Sequence, residues 1–475
     1  MSEPVIRRAA SMAAEFDVPV VVIGAGACGL MAAIALRDAG IDCVVLERDA
    51  SPAGSTALSS GFIPAADTAL QRALGIADSR EQFAADIQAK TQGTAAAHLV
   101  EAYTVAVAQA IDALQQRHGI EFEILDGFLY PGHSARRMHA VPERTGAALM
   151  ARLERAALDA GVTLVTEALA RELWLDADDR ILGVGYERPD GALERVGCAR
   201  VLLACNGFGG NAAMVRELLP EMRDALFAGH TGNDGSAIAW GRALGAGLAD
   251  LGGYQGHGSW AVPVGALISW AVIMEGGVQV NARGERFHDE THGYSEAAVQ
   301  VLAQPGGVAW NVFDDPVLAL ARGFPDFRDA EAAGALRSGA DVPALAAVIG
   351  CDVDALARTL AAVAPETVDA HGRRFTRALR APFHAVKVTG ALFHTQGGLD
   401  IDADCRVRRP DGSVFDTLLA AGGAARGVSG NAVWGYLSGN GLLSALAGGF
   451  IAARSIARDL GPTEPDATDF HGEPA

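Results

Sequence analysis

The residues that announce chemistry first are Gly24, Gly26 and Gly29, in G-x-G-x-x-G spacing, with Glu47 closing the next apolar run. Together they suit a dinucleotide. Gly24 permits a tight turn, Gly26 lets a pyrophosphate approach the backbone, and Gly29 lets a helix pack closely on a strand. The N-terminus of that helix turns unpaired N–H groups and a positive dipole end toward phosphate. Glu47 can accept hydrogen bonds from ribose hydroxyls and would repel a 2′-phosphate. Metal chemistry has no such signature. Cys28, Cys43, Cys198, Cys205, Cys351 and Cys405 form no C-x-x-C and no C-x-x-C-H, so no zinc, iron–sulfur or attached c-type haem site is expected.

These residues need elements to hold them. Residues 20–23 are a short β-branched apolar run, the pattern of a buried parallel strand; 30–39 read as a small-residue helix and 44–46 as a second strand. A small-residue loop follows at 51–61. Helices are predicted over 78–90, 95–118 and 145–160, with a strand and turn over 121–130. Strand-like runs at 162–166, 171–176, 181–188 and 194–204, with a turn at Pro189-Asp190-Gly191, predict an antiparallel insertion. Two more strands run into glycines at 201–210 and 418–423, and a helix covers 442–458. Between about 252 and 394 the pattern changes to short mixed elements, read as an inserted second domain. The Pro- and Asp-rich tail after about 460 is expected to be disordered.

Composition narrows the class. Half of the 475 residues are hydrophobic, yet no apolar run of about 18 residues is free of charges or breaks. A net charge of −19 argues against nucleic acid and anionic membrane as partners. Lys90 and Lys387 are the only lysines, so an isolated arginine carries little functional weight. Arg7-Arg8 is followed by no continuous apolar stretch, so no export signal is read. With cysteines set in apolar runs, a cytoplasmic location is expected.

The order of further motifs resembles the flavoprotein superfamily of soluble fumarate reductases, succinate dehydrogenase flavoprotein subunits and 3-ketosteroid dehydrogenases, over about 17–458. STALSSG (55–61) resembles the loop under the flavin, ACNGFGG (204–210) the A-T-G-G-F-G-G turn, and TGNDG (231–235) the T-G-D-G segment. NARGERFHDE (281–290) is similar to N-x-x-G-x-R-F-x-x-E, HTQGG (394–398) to H-T-x-G-G, and SGNG (438–441) to the turn at the flavin pyrimidine. The resemblance implies an α/β fold, a Rossmann-type, glutathione-reductase-like FAD-binding domain (1–251 and 395–475) with an inserted α+β capping domain (252–394). FAD is implied, held non-covalently because the 51–61 loop has no linkage histidine. The positions implied to bind it are Gly24, Gly26, Ala27, Gly29, Glu47, Arg48, Ser55, Thr56, Ser60, Gly61, Asn206, Gly207, Asp234, Gly422, Gly423, Ser438, Gly439, Asn440 and Leu442. One departure stands out: the superfamily's A-A-G-E, whose Glu holds a flavin hydroxyl, ends here in Gly423.

The resemblance also implies a reaction class, in which flavin N5 exchanges a hydride at one carbon while a protein group handles a proton at its neighbour. Fumarate reductases use arginines for proton delivery and substrate clamping. Here Tyr294 holds the place of the catalytic Arg, SWAVI (269–273) replaces the relay segment, and WGY (434–436) replaces the clamp. These changes argue against a dicarboxylate. They are similar instead to ketone desaturases such as 3-ketosteroid 1-dehydrogenases and 4-oxocyclohexanecarboxylate dehydrogenases. That implies a small, cyclic ketone desaturated next to its carbonyl: Tyr294 as base, Tyr130 its partner, and Tyr436 with a backbone N–H near Gly439 polarising the ketone. His257 and His394 join the catalytic set, with Trp270, Trp434 and Gly439 against substrate. A phenol's ordinary pKa of about 10 is high for a base, and a partner phenol or a cationic histidine is expected to lower it. The same scaffold run in reverse is an enoate or fumarate-type reductase; a flavin-binding protein without this turnover is a further reading. The electron acceptor (oxygen, a quinone or an electron-transfer protein) is not readable from the chain.

Overall fold

Strand Phe16–Ile23 lies inside a nine-stranded sheet because its second half is apolar on both faces: Val20, Val21 and Val22 have no exposed surface. This computed structural model describes residues 4–125, 129–365 and 368–461; the tail expected to be disordered lies, from 462 on, outside the described residues. Phe16–Ile23 pairs in parallel with Cys43–Leu46, which pairs in parallel with Thr163–Val165. On its other side runs the long strand Leu193–Leu203, also parallel. That strand changes partners along its length. Its start pairs antiparallel with Ile181–Glu187, and its end, Val201–Leu203, pairs in parallel with Leu418–Ala420. The antiparallel insertion expected from the sequence is thereby grafted onto the parallel core, and Leu169–Leu175 completes it.

Helix Ala27–Asp38 follows the glycine motif, and helix Asn440–Leu460 follows the C-terminal one. Both start on a glycine, Gly26 and Gly439, with no side-chain cap, so their first N–H groups remain for other partners. Helices Arg80–Lys90 and Gly146–Asp159 start one residue after Ser79 and Thr145, whose hydroxyls accept from Gln82 N and Ala148 N.

The second sheet has seven strands built on Phe383–Thr395. Tyr254–Ala261 and Val308–Asp314 flank it antiparallel. Apolar clusters lie around Phe313, Phe327 and Val388, and around Val312, Leu345 and Phe375. One strand, Leu226–Phe227, joins this sheet from ahead of residue 252. In the N-x-x-G-x-R-F-x-x-E segment, buried Glu290 accepts from Arg286 Nε (3.0 Å) and Arg373 Nη1 (3.0 Å). Burial pushes its carboxyl up, but the Arg286 hydrogen bonds and the charges of Arg373 and Arg286 outweigh that and hold it down at about 2. This knot anchors the chain just before Tyr294.

Several elements differ from expectation. Strand Val5–Arg8 adds to the insertion's edge and helix Ala69–Ala73 was not foreseen. The strand read over 121–130 is only Glu123–Ile124, with 126–128 outside the described residues. The loop at 51–61 contains one helical turn, Gly54–Ala57. All six cysteines are free, and no described helix is long and apolar enough to cross a membrane.

Candidate active site

A cavity of about 1180 Å³ opens between the first sheet's glycine turns and the second sheet, larger than the roughly 300–1,000 Å³ of an ordinary small-ligand pocket. Its first half is lined by Gly24, Gly26, Ala27, Glu47, Arg48, Ser55, Thr56, Ser60, Gly61, Asn206, Asp234, Gly422, Gly423, Ser438, Gly439 and Leu442. Three of the expected contacts stand behind this wall. Gly29 is in helix–strand packing, where a Cβ would overlap the Gly24 carbonyl oxygen. Gly207 N donates to Asn206 Oδ1 (2.9 Å), and buried Asn440 donates from Nδ2 to Ser429 Oγ (3.0 Å). Glu47 is buried, its Oε2 accepting from Ala25 N (2.8 Å) and Oε1 from Asp49 N (3.0 Å). Arg48 pairs with Asp234 (3.2 Å). Asn206 stands beside Gly423 so closely that a Cβ on residue 423 would overlap Asn206 Oδ1.

The other half is aromatic. Tyr130, Tyr294 and Tyr436 all line it, as do His257, His394, Trp260, Trp270 and Phe393. Tyr294 opens helix Tyr294–Leu302, and Gly293 before it has φ 135°, a backbone that side chains avoid. The Tyr294 hydroxyl lies 3.0 Å from Ser438 Oγ, which ties the second sheet's domain to the helix Asn440–Leu460 turn. Its ring stacks on His257 (centroids 4.9 Å apart) and meets Tyr436 edge-on at 6.2 Å. Tyr130 lies edge-on to Phe62. Burial pushes all three phenols up, Tyr294 well above its ordinary value, with the Tyr436 charge adding to the effect. At Tyr436 the backbone N–H groups of Gly439 and Gly441 oppose that rise.

The expected help from a cationic histidine is overturned. Burial pushes His257 down to about 3 and His394 down to about 4, so both are neutral near pH 7. His257 Nδ1 accepts from Ser259 N (3.1 Å), which leaves its proton on Nε2. Trp434 lies apart from the other expected substrate residues. It sits in the turn Val433–Gly435 and is not part of the cavity wall. Trp270 is, buried edge-on to His257 and Tyr294.

Trp260 and Phe393 escaped the sequence reading because strand alternation fails at them. Ladder irregularities lie between His257 and Trp260 and between Gln255 and Gly256, and a bulge re-aims side chains by one residue. Glu275, Asp326 and Asp329 also line this half. Burial, then the Asp329 charge, pushes the Asp326 carboxyl up. The cavity's arginines are Arg48, by Asp234, and Arg144, next to Thr145; no lysine lines it among the described residues.

Residues 19–442 match the family described as FAD binding domain. The chain belongs to that family. Its residues fit the cofactor. A Cβ on Gly26 would meet nothing within 4 Å, so the space above that turn is open. Two uncapped helix N-termini begin at this cavity's glycines. Trp240, also in the wall, has a buried Nε1–H with no partner among the described residues. Among relatives, this FAD-binding chain is 29% identical to the NADH:fumarate oxidoreductase of Klebsiella pneumoniae (strain 342) over 92% of its own length and 47% of the relative's. It thus spans about half of that protein. It is 24% identical to the 4-oxocyclohex-2-ene-1-carboxylate 5-dehydrogenase of Sinomonas cyclohexanicum, over 92% of this chain and 93% of the relative. The open conformation of a flavocytochrome c3 fumarate reductase superposes with a TM-score of 0.80 at 26% identity, covering 94% of this chain and 79% of that one.

Proposed function

We propose that this chain is an FAD-dependent oxidoreductase acting on a CH–CH bond beside a ketone, introducing a C=C bond into a small, uncharged, cyclic substrate. The observation that carries this reading is the character of the substrate half: three phenols and an aromatic wall, with carboxylates at Glu275, Asp326 and Asp329 and no cation among the described residues. A dicarboxylate entering there would find no positive partner and three negative neighbours. The Sinomonas relative has a cyclic ketone in its named substrate, which supports the ketone and the ring; that substrate also carries a carboxylate, for which this half of the cavity offers no cation among the described residues.

Bound FAD, held non-covalently, would supply the acceptor for a hydride from the β carbon. The Tyr294 oxygen, as phenolate, takes the α proton and becomes the phenol, with Tyr130 beside it as the second phenol. The Tyr436 hydroxyl and the Gly439 N–H stabilise the negative charge that grows on the carbonyl oxygen. Trp270, Trp260 and Phe393 exclude water and favour a flat or cyclic substrate. His257 supports the Tyr294 ring by stacking.

A second reading, reduction of an enone or enoate, is favoured by one observation. Burial keeps the Tyr294 phenol protonated near neutral pH, and a protonated phenol is already a proton donor. The Klebsiella relative is named for a reductive direction.

Anaerobic mixing of the FAD-loaded protein with cyclohexanone, a 3-ketosteroid, 4-oxocyclohexanecarboxylate and succinate, followed at the flavin absorbance, tests both. Bleaching by the neutral ketones with none by succinate is expected. Bleaching by succinate, or rapid reoxidation of the reduced protein by fumarate alone, overturns the ketone reading.

A further inference from the structure

His394 stands in the aromatic half with its ring edge-on to Tyr436 (5.6 Å). Its Nε2 faces Gly441, where a Cβ would lie 2.6 Å away, and no hydrogen bond from a described residue reaches that nitrogen. Its Nδ1 faces inward to a buried chain of polar side chains. Gln396 Nε2 lies 3.0 Å from Nδ1, Ser429 Oγ donates to Gln396 Oε1 (2.8 Å), and Asn440 Nδ2 donates to Ser429 Oγ (3.0 Å). All three residues are at most 4% exposed.

We propose that Gln396, Ser429 and Asn440 hold the His394 imidazole in the Nε2–H tautomer, so that it offers the substrate's carbonyl oxygen a neutral hydrogen-bond donor and cannot act as a base. The direction of the chain decides the tautomer. Asn440 gives Ser429 a proton to accept, so the serine's own proton goes to the Gln396 oxygen. That orients the glutamine amide to donate to Nδ1, and an Nδ1 that accepts leaves its proton on Nε2. In the reverse chain, Nδ1–H would donate to Gln396 and Ser429 to Asn440. Both N–H groups of the buried Asn440 amide would then be unpaired, whereas the stated direction leaves one N–H and the carbonyl oxygen, Oδ1, without a partner among the described residues. Unpaired buried N–H groups are the rarer defect. The competing acceptor, Thr395 O, is farther from Nδ1, at 3.3 Å. The consequence for chemistry is a division of labour: both cavity histidines are neutral donors, and Tyr294 alone remains to move the α proton. Gln396, Ser429 and Asn440 are positioning residues. The identity of the acceptor as a ketone oxygen rests on the function proposed above; the tautomer does not.

The test is long-range ¹H–¹⁵N correlation of ¹⁵N-histidine-labelled, FAD-loaded protein at pH 7.5, with the His394 signals identified by their loss in His394→Asn. The Nε2–H pattern is expected. Gln396→Met, which keeps volume but removes the amide, should convert His394 to Nδ1–H, now bonded to Thr395 O. Ser429→Ala, a smaller change, should give a mixture. An Nδ1–H pattern in the unaltered protein overturns the proposal, and so does a pure Nε2–H pattern in both variants. These readouts need no substrate, so failure of the ketone reading would leave them intact. If the ketone reading holds, Gln396→Met should also raise KM for the ketone about tenfold at unchanged FAD content.

Discussion

Replacing Tyr294 with Phe isolates the proton-transfer step. The variant keeps the ring that stacks on His257 and loses one hydroxyl, whose single described partner is Ser438 Oγ at 3.0 Å. That bond is worth about 0.5–1.5 kcal/mol to stability, and Ser438 can turn toward the cavity, so folding and FAD content should hardly change. Loss of a general acid–base typically costs 10²–10⁴-fold, equivalent to about 2.7–5.5 kcal/mol of barrier. The assay is the single-turnover rate of flavin bleaching by a neutral ketone under nitrogen, across pH. Because burial holds the Tyr294 phenol well above its ordinary range, desaturation in the unaltered protein should speed up with rising pH into the alkaline region, while enone reduction stays flat until the phenol ionises. A histidine base would behave otherwise: with His257 at about 3 and His394 at about 4, its rate would already have levelled off near pH 5. Activity of the Phe variant within a few-fold of the original, or a plateau from pH 5 upward, would refute the assignment of Tyr294.

Gly26→Ala and Gly29→Ala should part company: the first places its Cβ in open cavity and should weaken FAD binding about tenfold, roughly 1.4 kcal/mol, with the apo melting temperature unchanged. The second collides with the Gly24 carbonyl and should destabilise the fold by ~1–3 kcal/mol, read by denaturant titration. Gly441→Ala pushes on His394 Nε2 and should cut ketone-dependent bleaching by roughly 10²-fold with FAD content retained. Glu290→Gln leaves the buried Arg373 without its carboxylate, Arg286 staying paired with Asp369, and should cost ~3–5 kcal/mol of unfolding free energy, read by urea titration. Acid should unfold the protein early. His133, His139, His257, His288 and His394 are all pushed down by burial, to between about 3 and about 4. The unfolded chain therefore binds their protons first, and stability is full above about pH 6.5 and falls by ~1.4 kcal/mol per histidine per pH unit below it. A flat melting temperature between pH 7 and 5 would contradict this.

Part of the nucleotide half was readable because its first glycines act within one turn: Gly29 packs on the Gly24 carbonyl and Gly26 leaves the helix start open, whereas Gly24 against Ala204 and Gly423 against Asn206 answer to neighbours distant in sequence. Tyr294 was readable for a related reason, since Glu290 and Arg286 of its own segment fix the chain ahead of it. The substrate half was less so. Trp260 and Phe393 depend on where a ladder slips, which is settled by packing between strands distant in sequence. Asp326 and Asp329 reach the site from helix Pro325–Ala332, whose residues belong to no motif. The expectation of a cationic histidine failed on burial, a property of the assembled cavity. Trp434 lies outside the cavity wall: an aromatic beside a site motif need not line the site.

The crowding of Asn206 against Gly423 bears on how this cavity has been able to change over time. With asparagine at 206, a Cβ at 423 meets the amide oxygen, so a side chain there requires Asn206 to turn away and give up the hydrogen bond its Oδ1 accepts from Gly207 N, at about 0.5–1.5 kcal/mol. The two positions are coupled: a library that varies 423 together with 206 should recover side chains at 423 more readily than one that varies 423 alone.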